Sequence, residues 1–87
     1  MEFSCNQVIQ LRNGKFGVVA CFNNKPFQIV FTSYTSPIKK YNSELKHSNS
    51  NYDVVKVFDG SNVANVLDVF NNKFNAEGLE LVWERKD

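Results

Sequence analysis

The sequence has few of the side chains from which catalytic and metal sites are built. Its 87 residues include one histidine, His47, and two cysteines, Cys5 and Cys21, without CxxC or HxxxH spacing. A structural zinc site takes four ligands, and nucleophilic catalysis needs a base held beside the nucleophile. We therefore expect no metal, no cofactor and no enzymatic activity.

An excess of charge of either sign is also lacking. Ten Lys and Arg against nine Asp and Glu give a formal net charge of +1, so no global field favours nucleic acid or an anionic membrane. No apolar run approaches the ~18 residues of a spanning helix, and residues 1–6 have neither the basic nor the apolar part of a signal peptide. We expect a single globular domain over residues 1–87, cytoplasmic and without a membrane partner.

What is present is a strong β pattern in the first third of the chain. Apolar runs at about 7–12 and 15–22 flank the dipeptide Asn13-Gly14. Asn-Gly suits a type I′ hairpin turn, because both of its residues tolerate positive φ. Such a two-residue turn places Leu11 opposite Phe16, and the apolar side chains of both strands then share one face.

The same pattern continues through a turn at 23–26 into a third strand at about 27–33. Gly17 in the second strand predicts a bend or a close backbone approach. The predicted inner face of this curled meander comprises Ile9, Leu11, Phe16, Val18, Ala20, Phe22, Phe27, Ile29 and Phe31. The predicted outer face carries Val8, Val19, Cys21 and Val30. An apolar outer face must be covered, since a sheet with one wet side shows polar residues there.

This register separates the two cysteines. Cys5 would project to the inner face and Cys21 to the outer face, so their Cβ atoms could not come within the ~3.8 Å that a disulfide requires. Two cysteines are also too few for the disulfide framework of small secreted domains. We therefore expect two free thiols in a reducing compartment.

The rest of the chain predicts a short helical turn, two more strands and one helix. Ser36 and Pro37 suit a helix start, and a mobile loop rich in Ser and Asn should follow the turn. Strands are expected at about 52–58 and 79–84, with a helix at about 62–73 between them. The buried stripe of that helix would comprise Val63, Val66, Leu67, Phe70 and Phe74.

Together these elements predict a mainly β fold with one helix. Five antiparallel strands would form a strongly curled sheet or an SH3-like, partly open barrel, and the alternative is a flat α+β sandwich of sheet and helix. So short a chain needs almost every large apolar residue for its core. Function must therefore lie on the surface or in loops.

One surface segment has the character of a binding site, because basic and aromatic residues interleave in it. They are Tyr34, Lys39, Lys40, Tyr41, Lys46 and His47. Such a mixture can contact a protein, and it can also stack bases and hold phosphates. Packing of Tyr41 under the helical turn, with the lysines as its solvated side, explains the same pattern without a ligand. A protein partner or a second copy of the chain could instead cover the apolar outer face, if the helix and the curl of the sheet do not.

Three segments form a familiar combination: residues 11–19 (LRNGKFGVV), 52–58 (YDVVKVF) and 81–85 (LVWER). They resemble small accessory proteins of phages and prophages of low-GC Gram-positive bacteria. The resemblance implies a protein in a bacterial host that binds and inhibits or redirects a host protein, as anti-CRISPR and other anti-defence inhibitors do. It carries no functional residues over to this chain. We predict a non-enzymatic protein-binding module, with a small nucleic-acid-binding regulator that uses residues 34–47 as the alternative and a small enzyme third.

Overall fold

The computed structural model describes residues 2–31, 34–60 and 79–86. Within these ranges, six strands form one antiparallel sheet in the order β4-β3-β2-β1-β5-β6. The strands are β1 (Val8–Leu11), β2 (Phe16–Phe22), β3 (Lys25–Val30), β4 (Thr35–Pro37), β5 (Val54–Phe58) and β6 (Leu81–Glu84). Two 3₁₀ turns, Ile38–Lys40 and Ser50–Tyr52, are the helical elements of this part of the chain.

The prediction of a mainly β fold is confirmed, and a strand lies within or close to each of the five predicted ranges. The additional strand is β4, which the sequence pattern does not predict. Ser36 in its centre pairs with Ile29 and is buried, so the prediction that it caps a helix is wrong. The helix predicted at 62–73 and its apolar stripe lie outside the described residues. Among the residues described, no helix is long and apolar enough to cross a membrane.

The first hairpin has a register one residue away from the predicted one. Val8 pairs with Val18, and the Leu11 N–H donates to the Lys15 carbonyl at 2.9 Å. Of the residues between these strands, Gly14 alone has a positive φ, of 88°. A single left-handed glycine at the end of a three-residue loop is the geometry of a turn closed by a bulge, not of a type I′ turn. The predicted type I′ turn at this hairpin is therefore wrong.

A turn of the predicted kind occurs in the second hairpin instead. Asn23 and Asn24 both have positive φ, 51° and 63°, and lie between Phe22 and Lys25, which face each other. Asparagine is among the non-glycine residues that tolerate this conformation best. Past the turn a shift in register leaves Phe27 as the extra residue of a β-bulge.

These register changes move side chains between the faces of the sheet, because side chains alternate along a strand. Val19, predicted on the outer face, lies in the main core, whereas Phe22 and Phe27, predicted inside, are 68 % and 60 % exposed. Val8 stays on the face opposite to Ile9, where it is buried in a second cluster with Phe58. Four predicted inner residues are buried as expected: Ile9, Leu11, Ile29 and Phe31. The main core cluster comprises Ile9, Leu11, Val19, Ile29, Phe31, Leu45, Val54 and Val57.

The two cysteines form a disulfide, so the prediction of free thiols is wrong. Their Cα atoms are 5.7 Å apart. The physical reason is the register. Because Val8 pairs with Val18, Cys5, three residues before Val8, lies opposite Cys21, three residues after Val18. The strand-like backbone contacts continue in that direction, because the Asn6 N–H donates to the Val19 carbonyl at 3.1 Å. A disulfide also weakens the inference of a reducing compartment.

Gly17 permits a close approach within the core, as predicted. A Cβ atom at this position would lie 2.6 Å from a ring carbon of Phe31 and 2.8 Å from Cγ2 of Ile29. No other residue fits there without movement of the Phe31 ring, which is itself buried. Gly17 therefore sets the position of Phe31 at one end of the core.

Residues 41–49, part of the segment 36–51 that the sequence predicts to be a helical turn and a mobile loop, lie on the core face of the sheet. Leu45 within this range is 2 % exposed and belongs to the core cluster. Arg85, which follows β6, holds this stretch from the other side: its guanidinium donates to the carbonyls of Glu44 at 2.7 Å and Leu45 at 3.2 Å, and its Nε to that of Val54 at 2.9 Å. A composition rich in Ser and Asn therefore does not leave this stretch unattached, because one leucine and one arginine fasten it.

Candidate functional site: an aromatic cleft

An open cleft of about 280 Å³ lies where β4 and the two 3₁₀ turns meet. We call it the aromatic cleft. Its lining comprises Tyr34, Thr35, Ser36, Pro37, Lys40, Tyr41, His47 and Tyr52. All three tyrosines of the chain and its only histidine are in this set, which makes the cleft the main concentration of amphipathic rings among the described residues.

The rings contact one another in series. Tyr34 stacks on the buried ring of Phe31 with centroids 4.7 Å apart, and its centroid is 6.5 Å from that of Tyr52. His47 makes edge-on contacts with both Tyr41 and Tyr52, each at 5.3 Å. Offset and edge-on pairs at such distances are the favourable arrangements of aromatic rings. The cleft wall is therefore formed by rings that support each other before any ligand arrives.

Tyr41 joins the cleft to the core. Its ring packs edge-on against Phe3 at 5.6 Å, and its hydroxyl donates to the Tyr52 carbonyl at 2.9 Å. Burial raises the pKa of Tyr41 well above its usual value, and the nearby Tyr34 and Asp53 raise it further, while a hydrogen bond from the Ser36 side chain acts in the opposite direction. The phenol thus remains a neutral hydrogen-bonding group at every physiological pH.

Tyr34 is the most exposed ring of the aromatic cleft. It is 37 % exposed. Its pKa is raised, mainly by partial burial and to a smaller extent by the nearby Tyr52. A neutral phenol offers one donor and two acceptor lone pairs above an apolar ring. Tyr34 is therefore the residue of the cleft best placed to contact a partner.

His47 is held in place by hydrogen bonds with the Asp53 side chain and the Asn49 backbone. The backbone N–H of His47 donates to Oδ1 of the buried Asp53 at 2.8 Å, and the ring Nδ1 accepts the backbone N–H of Asn49 at 2.9 Å. A neutral ring therefore carries its proton on Nε2. Asp53 in turn forms an ion pair with Arg12 at 3.5 Å. The Ser48 hydroxyl lies 3.5 Å from the same Nδ1, and the two cysteines are joined to each other.

Four of the six predicted site residues come together in the cleft: Tyr34, Lys40, Tyr41 and His47. The other two do not. Lys39 lines a different cavity with Pro26 and Phe27, and Lys46 forms an ion pair with Glu44 at 3.6 Å. The three lysines of the predicted segment thus point to three different surroundings.

Four cleft residues were not predicted from the sequence: Thr35, Ser36, Pro37 and Tyr52. The sequence predicts Tyr52 in a strand, but Tyr52 is the last residue of the second 3₁₀ turn. Asn49 caps the start of this turn, because its side chain accepts the Asn51 N–H at 3.1 Å. The signal that could have found it is the Asn49-Ser50-Asn51 run, since such residues favour local turns. Ser36 could not have been found, because its burial depends on the unpredicted strand β4.

Among residues 2–31, 34–60 and 79–86, no three His, Cys, Asp or Glu side chains are grouped as metal ligands would be. Comparison of the chain with models of protein families, with curated proteins and with solved structures yields no match.

Proposed function

We propose that this chain is a non-enzymatic protein-binding module that contacts its partner through the aromatic cleft. The observation that carries the proposal is the exposed, pre-stacked ring of Tyr34 beside Tyr52 and His47. Tyrosine is enriched at the centres of protein interfaces, because it buries a large apolar area at low entropic cost and keeps a polar hydroxyl. Rings that are already packed lose little further freedom on binding.

The biological setting rests on the resemblance of the three segments to phage accessory proteins. On that basis the partner is a host protein that the module inhibits or redirects, in the manner of an anti-defence protein of the bacterial cytoplasm. An SH3-like, partly open barrel is our finer description of the fold, since the six-stranded order and the bulges of β3 and β5 are compatible with a curled sheet.

The distribution of lysines favours a protein over a nucleic acid. Affinity for nucleic acid depends on several phosphate contacts made by neighbouring cations. In the aromatic cleft Lys40 is the one lysine, Lys39 lies in another cavity, and Lys46 has a carboxylate partner. The nucleic-acid regulator remains the alternative, since stacked rings beside one cation also suit a single-stranded segment.

The test is affinity capture from a lysate of a low-GC Gram-positive bacterium, followed by calorimetric measurement of the dissociation constant for each purified candidate. Tyr34→Ala should weaken binding at least about tenfold, a loss of roughly 1.4 kcal/mol. Lys15→Ala, on the exposed loop of the first hairpin, is the control and should leave the dissociation constant unchanged. Both sites are exposed, so neither change is expected to unfold the chain.

Two results would contradict the proposal. A partner whose affinity is insensitive to Tyr34→Ala and Lys40→Ala would exclude the aromatic cleft as the interface. Binding of a single-stranded oligonucleotide that weakens steeply with salt and is lost in Lys40→Ala would instead support the nucleic-acid regulator.

A further inference from the structure

The tip of the second hairpin carries a second exposed apolar surface. Phe22 and Phe27 are 68 % and 60 % exposed, and their ring centroids are 6.2 Å apart. Beside them is an open groove of about 480 Å³. Its lining comprises Pro26, Phe27, Pro37, Ile38 and Lys39. We call this groove together with Phe22 the hairpin surface; it shares only Pro37 with the aromatic cleft.

The backbone forces both rings outward. Phe22 immediately precedes the turn at Asn23 and Asn24, and Phe27 is the extra residue of the bulge. A bulge re-aims its extra residue away from the alternation of the strand. Two large apolar rings kept in water by such devices mark an interaction surface more often than an accident of packing.

Two lysines lie at or beside this surface, and neither has a carboxylate partner among the described residues. Lys25 pairs with Phe22 across the turn, and Lys39 lines the groove beside Phe27. No described carboxylate lies within ion-pair distance of either lysine. By contrast, Lys46 and Lys56 pair with glutamates, each at 3.6 Å. The hairpin surface therefore combines apolar area with two lysines that no described carboxylate holds in an ion pair.

We propose that the hairpin surface binds a segment of a partner protein in which apolar anchor residues alternate with acidic ones. The rings would receive the anchors, and Lys25 and Lys39 would pair with the flanking carboxylates. We favour a peptide as the occupant, because a side chain can enter the groove beside Phe27, between the hairpin and the first 3₁₀ turn. A lipid surface is the competing occupant, and the vesicle measurement below distinguishes the two. This binding site goes beyond the aromatic cleft and does not depend on it.

The experiment is selection of a displayed library of short random peptides on the wild-type protein, with counter-selection on the double variant Phe22→Ser/Phe27→Ser. Enriched peptides are then synthesised with a fluorescent label and titrated by anisotropy. We expect acidic residues next to leucine or aromatic anchors. Affinity should fall at least about tenfold in the Phe double variant and in Lys25→Glu/Lys39→Glu. The charge-matched control Lys15→Glu/Lys86→Glu should bind normally, since both of its sites are exposed and lie outside the groove.

The outcomes separate this proposal from the one for the aromatic cleft. Peptides whose binding is abolished by Tyr34→Ala but retained by the Phe double variant would bind the aromatic cleft. This result would overturn the proposal for the hairpin surface. Recovery of no peptide above the counter-selection, or of basic or uncharged peptides, would overturn it too. So would binding of the wild type to phosphatidylserine vesicles that is lost in the Phe double variant, because the occupant would then be a membrane. Circular dichroism melts of each variant check that loss of binding is not loss of fold.

Discussion

Removal of the Cys5–Cys21 disulfide should destabilise the protein by about 3 kcal/mol. The bond joins residues 16 apart, and closure of a loop of this length removes entropy from the unfolded chain equivalent to about 3 kcal/mol at 25 °C. A domain of this size has about 5–15 kcal/mol of stability in total. The loss would lower the melting temperature by roughly 12–24 °C, since 1 kcal/mol shifts a domain of this size by about 4–8 °C.

Two assays check the magnitude. Thiol titration of the unfolded protein should find no free thiol in the monomer before reduction and both cysteines after it. Urea unfolding with and without a phosphine reductant should give midpoints that differ by the predicted free energy. The double variant Cys5→Ser/Cys21→Ser is the matched control, because it should unfold at the reduced midpoint and be insensitive to reductant.

The reasoning fails if two thiols titrate in protein purified under air. Such a result would mean that the cysteines do not face each other, and the register that pairs Val8 with Val18 would lose its clearest consequence. Equal midpoints for oxidised and reduced protein would have a different meaning. They would show that the turn and backbone contacts around Asn6 already restrict the unfolded chain as strongly as the covalent bond does.

Three further predictions concern the core and the cleft. Leu45→Ala should cost about 2–5 kcal/mol in urea unfolding because its side chain is buried, whereas Lys46→Ala beside it should change stability by less than about 0.5 kcal/mol; equal effects would contradict the packing of this stretch. Gly17→Ala should cost about 1–3 kcal/mol, since the added carbon meets the Phe31 ring; an unchanged midpoint would refute the close approach. Because the folded-state pKa of Tyr41 is raised, its stabilising effect is complete below about pH 10 and is lost as the pH rises through the folded value, by up to about 1.4 kcal/mol per pH unit. Absorbance titration at alkaline pH should therefore show a late tyrosine that Tyr41→Phe removes, and three tyrosines that ionise together would contradict it.

The strands could be predicted from the sequence because their signal is local. Alternating or β-branched residues bounded by Asn and Gly locate β1, β2, β3, β5 and β6. Register is a different matter, since it depends on the turn conformation and on bulges that local pattern does not show. The chain has asparagine at both hairpins, and only the pair Asn23-Asn24 adopts the two-residue left-handed turn. One wrong turn type was enough to place Val19 outside, Phe22 inside and the cysteines on opposite faces.

The candidate site was predicted in part for a similar reason. Tyr34, Lys40, Tyr41 and His47 are near each other in sequence, so a reading of composition found them. The remaining wall depends on long-range contacts. Tyr52 reaches the cleft because the chain returns from residue 41 to 52 across the core face, and the Tyr41 hydroxyl bonds to its carbonyl.

Stability and binding are separable in this cleft because its residues divide by exposure. The Tyr41 ring packs against Phe3 and its hydroxyl donates to the Tyr52 carbonyl, so removal of this side chain should mainly lower stability. Tyr34 is supported from below by Phe31 and faces solvent, so its removal should act first on binding. Arg85 ties the segment between Tyr41 and Tyr52 to the far edge of the sheet, because its guanidinium donates to the Glu44 and Leu45 carbonyls. Its three contacts, with the carbonyls of Glu44, Leu45 and Val54, join this segment to β5 and β6. Such contacts allow a short chain to present a fixed aromatic surface on segments with little regular structure.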